Sequence, residues 1–177
     1  TPAPLLNVDF NGGLVSAKTG LAGMGQTDAD FWNGHPGGSS SVSNLFLADG
    51  SRSAISIAIT NSLFSRWIEY TDPMLHNFVY PPYAAGPFTV QIFGLPAGTY
   101  SFYLYNAGTK YWPWFGSDFE LIVGGVSLGH KVLTGWIEDP PPWREDVDYG
   151  TFTNVQVAGS QQSVALVVRG NYGQDPN

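Results

Sequence analysis

Apolar and polar residues alternate along this chain with a period of two, in short runs closed by Gly, Pro, Asn or Asp. No stretch carries the 3.6-residue spacing of a long amphipathic helix. Because successive side chains of a strand point to opposite faces, these runs predict strands over residues 5–10, 44–48, 54–60, 88–93, 99–106, 118–123, 126–133, 151–157 and 163–169. Gly124-Gly125 predicts a tight hairpin between 118–123 and 126–133, and Leu95-Pro96-Ala97-Gly98 a second between 88–93 and 99–106. A weaker turn, Ala158-Gly159-Ser160, precedes the apolar run 164–168. Many short strands with such turns predict an all-β fold, a two-sheet antiparallel β-sandwich with jelly-roll-like topology. No repeat, linker or second set of elements interrupts the pattern, so residues 1–177 read as one domain. The irregular stretches 12–43, 64–86, 107–116 and 135–149 are too aromatic for disorder, which makes them the place to seek function.

Composition narrows the function classes. Hydrophobic residues make up 43% of the chain, enough for a sizeable core, and no apolar run approaches the roughly 20 residues of a membrane span. Thr1-Pro2-Ala3-Pro4 reads as a mature end or as a piece of a longer chain from which a signal or neighbouring modules have been removed, so a secreted protein is expected. Seven Lys and Arg stand against fourteen Asp and Glu, a net charge of −7. That balance excludes a phosphate-neutralising nucleic-acid binder and disfavours anionic membranes and polyanionic sugars. A neutral ligand fits it best. The absence of cysteine removes disulfides, thiolate chemistry and cysteine-bound metal, and the absence of an Asn-x-Ser/Thr sequon weighs against a glycosylated eukaryotic origin. Aromatic residues, at 15% with six Trp, exceed what one β-core requires.

Several phrases occur in a telling order: Asn7-Val8-Asp9-Phe10, Asp30-Phe31-Trp32-Asn33-Gly34, Asp72-Pro73-Met74 with Tyr80, and Gly94-Leu95-Pro96-Ala97-Gly98-Thr99-Tyr100-Ser101-Phe102-Tyr103-Leu104-Tyr105. Trp143-x-Glu145-x-x-x-Tyr149-x-x-Phe152-x-x-Val155 completes the set. Together they resemble a domain found repeatedly in large secreted proteins of environmental bacteria, similar to the galactose-binding-like β-sandwiches used as carbohydrate-binding modules. The resemblance covers most of the chain. It implies a non-catalytic accessory role, tethered beside a glycan-degrading enzyme, and identifies no ligand. Two features depart from the pattern: Tyr111-Trp112-Pro113-Trp114-Phe115 follows the 103–105 strand, and three consecutive prolines lie between Trp136 and Trp143.

Those departures have the composition of a sugar site. A pyranose presents apolar C–H faces that stack on indole and phenol rings, while its hydroxyls need planar polar partners. Trp112 and Trp114 share a face if locally extended, and Trp136 joins them as a stacking ring, with Tyr111 and Trp143 extending the platform. Glu138, Asp139 and Arg144 would bond hydroxyls, on a loop stiffened by Pro140-Pro141-Pro142. Tyr80 and Tyr83 are further candidates for the platform, whereas Trp32 and Trp67 are assigned to structure. The competing reading is that these rings cap the core and that Trp143 merely pins its loop. A neutral polysaccharide, β-glucan in first place, is the expected ligand.

Metal and catalysis come last. Asp28-x-Asp30-x-x-Asn33-Gly34 resembles a calcium loop, but its spacing does not suit an EF-hand. Structural calcium is common in β-sandwich binding modules, so Asp9, Asp28, Asp30 and Asp148 are the candidate oxygen donors, against the alternative of solvated or turn-capping aspartates. His35, His76 and His130 lack zinc-ligand spacing. A small jelly-roll glycanase would need two carboxyl groups about 5–9 Å apart. The four glutamates are Glu69, Glu120, Glu138 and Glu145, of which only Glu120 falls on a predicted strand. The chain therefore reads as a non-enzyme, with a small glycanase or a structural, adhesive module as alternatives.

Overall fold

The computed structural model describes residues 3–10, 13–63, 70–81, 86–106, 115–133 and 137–172, without the side chains of 115, 171 and 172. The described residues form ten strands and one 3₁₀ turn: β1 (Asn7–Asp9), β2 (Trp32–Gly34), β3 (Ser41–Val42), β4 (Ser56–Thr60), the turn Pro73–Leu75, β5 (Phe88–Phe93), β6 (Gly98–Tyr105), β7 (Phe115–Val123), β8 (Val126–Leu133), β9 (Tyr149–Val157) and β10 (Val164–Tyr172). A six-stranded antiparallel sheet runs in the order β3-β4-β5-β10-β7-β8. The antiparallel pair β6-β9 forms a second sheet, and β1-β2 is a short parallel pair.

The fold is the expected all-β sandwich. The inward residues of β4, β5, β7, β8 and β10, among them Ile59, Val90, Leu121, Leu133 and Leu166, form one cluster with Phe152, Val155 and Val157 of β9 and with Phe102 and Leu104 of β6. The chain passes from one sheet to the other between β5 and β6, β6 and β7, β8 and β9, and β9 and β10, the jelly-roll-like manner of building a sandwich. No helix among the described residues is long and apolar enough to cross a membrane.

The Gly124-Gly125 hairpin forms as expected, with Val123 opposite Val126. The other expected hairpin does not. β5 and β6 lie in different sheets, and the segment between them carries the chain across the sandwich. Gly94 turns it out of the sheet at φ +78°, where a Cβ would stand 2.4 Å from the Ala54 carbonyl oxygen, and Leu95 drops into the core. A second correction concerns residues 44–48, which form no named strand but a single antiparallel bridge, Phe46 to Arg52. Leu45 accepts from Ser53 and donates to Ile55, while the Asn33 side-chain amide takes both backbone groups of Phe46, accepting from its N–H at 2.8 Å and donating to its carbonyl at 2.7 Å. The side chain thus takes the two backbone groups of Phe46 that its bridge to Arg52 leaves over. The sequence reading also missed β2, whose three residues are all buried.

Candidate functional site

At one end of the sandwich, three loops converge on a second apolar cluster built from Trp32, Met74, Leu75 and Ile137, with Tyr70, Tyr105 and Trp143 packed against it. Each loop is tied down by a polar side chain. The Trp32 indole donates to the Gly20 carbonyl at 2.8 Å. Asp72 caps the 3₁₀ turn, accepting from the Met74 N–H at 3.0 Å, and its other oxygen meets Lys18 Nζ at 2.6 Å. Both partners of that ion pair are almost wholly removed from solvent, and the ammonium lies 5.9 Å from the Trp32 ring centroid. Asp9 is buried beside them and accepts from the Ser16 hydroxyl at 2.6 Å. Burial pushes the Asp9 carboxyl up to about 6, the Ser16 bond opposes that rise, and the nearby Asp72 charge adds to it. His76 Nε2 stands 2.7 Å from the Tyr70 carbonyl and completes this polar layer.

Residues 137–148 lie over that layer. Ile137 anchors the segment, and Asp139 accepts from the Thr71 N–H at 2.8 Å, joining it to the turn-bearing loop. Asp148, with no exposed surface, holds Arg144 three ways: Nε and Nη2 each at 3.2 Å, and the backbone N–H at 2.6 Å. The remaining guanidinium nitrogen, Nη1, reaches Glu138 at 3.0 Å. Arg144 and Glu138 are about half exposed, so a planar charged pair is presented to solvent on a buried support. Beside it, Trp143 is half-buried with φ +51° and meets Tyr105 edge to face, centroids 5.1 Å apart. Tyr105 packs in turn on Tyr149 at 5.5 Å, and its hydroxyl accepts from the Met24 N–H at 3.0 Å. Burial pushes that phenol up to about 12.

Of the residues singled out from the sequence, Glu138, Asp139, Trp143 and Arg144 thus gather on one loop. Tyr111, Trp112, Trp114 and Trp136 lie outside the described residues, as do Trp67, Glu69 and Tyr83. The described residues that border those segments stand together. Asn106 donates its N–H to the Asp148 carbonyl at 3.0 Å, Ser117 donates its hydroxyl to the Asn106 side chain at 2.9 Å, and Ser117 pairs with Leu133 across β7 and β8.

The candidate calcium donors do not assemble into one oxygen cage. Asp9 serves Ser16, Asp148 serves Arg144, and both oxygens of Asp30 accept from Gln26 N–H, Thr27 N–H and the Thr27 hydroxyl, while Asp28 is exposed. Calcium requires six to eight oxygens, and among the described residues no three His, Asp or Glu come together as a metal group. Glu120 projects from the six-stranded sheet, where Arg169 Nη2 bonds it at 2.8 Å, with Asp118 and His130 alongside. The Arg169 bond holds its carboxyl below the usual range.

Sequence reasoning missed Ser16, Lys18, Asp72 and His76 as members of a polar layer. Asp72-Pro73 carried the signal of a capped turn, but nothing local marked Lys18 as its partner. No protein-family model matches this chain, and neither a curated protein nor a solved structure is significantly similar to it.

Proposed function

We propose that this protein is a non-catalytic carbohydrate-binding module that binds neutral polysaccharide, β-glucan in first place, and that it targets an attached, secreted glycan-degrading enzyme to its substrate. The reading rests chiefly on the Glu138–Arg144 pair. Planar donors and acceptors, held rigid by a buried Asp148 beside the Trp143 ring, suit sugar hydroxyls that need fixed polar partners. The net charge of −7 suits a neutral ligand better than an anionic one. Trp112, Trp114 and Trp136 would supply stacking faces, with Tyr111 and Trp143 extending them and Asp139 adding an acceptor. Each stacked ring would contribute about 1–2 kcal/mol, giving micromolar to millimolar affinity. An ionised, Arg-paired Glu120 is a poor proton donor, which favours binding over glycoside hydrolysis.

The test is affinity electrophoresis through gels containing barley β-glucan, xyloglucan, xylan, glucomannan or pectin. The expected outcome is retardation in a neutral glucan gel, no release of reducing sugar, and free migration of a folded Trp112→Ala/Trp114→Ala double variant. Unretarded migration in every gel would overturn the proposal in favour of a spacer or adhesion domain. Release of sugar, abolished by Glu120→Gln, would make the protein a glycanase.

A further inference from the structure

A shallow groove lies apart from the Arg144 loop in sequence and in the residues that build it. Its walls include Gln26, Thr27, Phe31, Ala48, Asp49 and Gly50. Phe31 is 40% exposed, although its backbone is fixed on both sides: its N–H donates to Ala48 at 2.8 Å and its carbonyl accepts from the Asn7 side chain at 3.2 Å. Phe46 backs the ring at 5.2 Å, and the Arg52 guanidinium in turn lies 5.0 Å from the Phe46 centroid. The ring is therefore an apolar surface held in place before any ligand arrives.

The polar rim is equally fixed. Asp30, buried and saturated by Gln26 and Thr27, shapes one wall. Across from it, Asp49 uses one carboxylate oxygen to bind the N–H and hydroxyl of Ser51, at 2.9 and 2.6 Å. The Asp49 residue is otherwise exposed to solvent. The Ser51 bonds hold the Asp49 carboxyl low, so it presents a full negative charge to solvent. An anionic ligand is repelled here, and a purely apolar one leaves Asp49 unused. A neutral ring with C–H groups on one face and hydroxyl donors at its edge satisfies both features.

We propose that this groove is a second sugar subsite, holding one neutral pyranose residue stacked on Phe31 with a hydroxyl donating to Asp49. The assignment rests on the carbohydrate reading for its ligand class, but on separate residues. Two subsites on one module would let a polysaccharide chain engage both, multiplying retention without tightening either site.

Backbone amide NMR of the ¹⁵N-labelled protein, titrated with cellohexaose, laminarihexaose and xylohexaose, tests it. With at least one of them, the amides of Thr27, Ala29, Asp49 and Gly50 should shift saturably, and should still do so in the Trp112→Ala/Trp114→Ala variant. Phe31→Leu keeps apolar volume but removes the flat ring, and should weaken binding at these amides at least tenfold; Asp49→Ala provides an independent variant. Shifts confined to residues 137–148 would overturn the second subsite and leave the proposed function standing. Shifts confined to the groove would keep the subsite and sink the Arg144 loop as a binding surface. No shift with any of the three sugars would overturn both. Shifts with glucosamine hexamer alone would overturn the neutral assignment, because a protonated amine would then be what Asp49 recognises.

Discussion

The interior of the sandwich and its loop-covered end are both buried, yet they are built from opposite materials. Between the sheets the buried surface is aliphatic and aromatic, with Ile59, Leu121 and Leu133 at or near zero exposure. At the loop end, Asp9, Lys18, Asp30 and Asp148 are all nearly inaccessible, each with a dedicated partner. The difference follows from backbone accounting. Strands satisfy one another's N–H and C=O groups in the ladder, so their side chains are free to be apolar. Loops have no ladder, and burying them requires side chains that take its place. Asp30 collects the N–H groups of Gln26 and Thr27, Asp72 that of Met74, Asp148 that of Arg144, and Asn33 both groups of Phe46. In a chain with so few charges, buried charge gathers where backbone is buried without a sheet.

If the apolar interior carries the stability, the largest loss should come from there. Leu121 is fully buried on β7, one strand in from the sheet edge. Leu121→Ala should lower the unfolding free energy by about 4 kcal/mol, the sum of lost burial and the cavity left behind. Urea denaturation measures it. A loss below about 1 kcal/mol would break the comparison, because the interior would then be no better packed than the loops.

The Lys18–Asp72 pair probes the other region. Lys18→Met keeps the aliphatic stem and removes the charge, leaving Asp72 buried and unpaired, at an expected cost of about 3 kcal/mol. Adding Asp72→Asn retains an acceptor for the Met74 N–H and removes the stranded carboxylate. The double variant should recover most of the loss in the same urea assay. A double variant as unstable as the single would mean that the pair's geometry, rather than charge compensation, holds the loops.

Legibility in the sequence follows the same division. β5 and β8 match their predicted bounds, and Gly124-Gly125 forms its hairpin, because period-two burial and two-residue turns are local signals. Which strands become neighbours is not local. β10 inserts between β5 and β7, so the phrase after Phe93 crosses the sandwich instead of folding back. The run 44–48 alternates like a strand but keeps a single bridge, Phe46 to Arg52, while the Asn33 side chain takes the backbone groups of Phe46. At the candidate site, Glu138, Asp139, Trp143 and Arg144 could be grouped in advance because they share one short segment. Lys18 and Asp72 are 54 positions apart, and neither residue type announces the other.

Asp9 tests whether the loop end's charges stabilise it or are tolerated by it. Its carboxyl has an ordinary value of 3.8 and sits at about 6 in the fold, chiefly through burial. Ser16, His76 and Lys18 favour the ionised form, and Asp72 disfavours it. A folded value above the unfolded one means that the folded state binds the proton more tightly. The corresponding stability is complete below about pH 3.8 and is lost as pH rises through 6. The full difference is worth at most about 3 kcal/mol. Asp9→Asn removes the titration and keeps an oxygen for the Ser16 hydroxyl. In urea denaturation at pH 4, 6 and 8, the wild type should weaken relative to this variant as pH rises. Asp9→Asn should be more stable by about 2 kcal/mol at pH 8, the remainder being offset by the weaker bond from Ser16 to an uncharged acceptor. The opposite result, a variant less stable at pH 8, would mean that Lys18 and His76 make ionised Asp9 a net gain. The polar layer would then hold the end of the sandwich as actively as apolar packing holds its middle, and the contrast between the two regions would be one of material but not of strength.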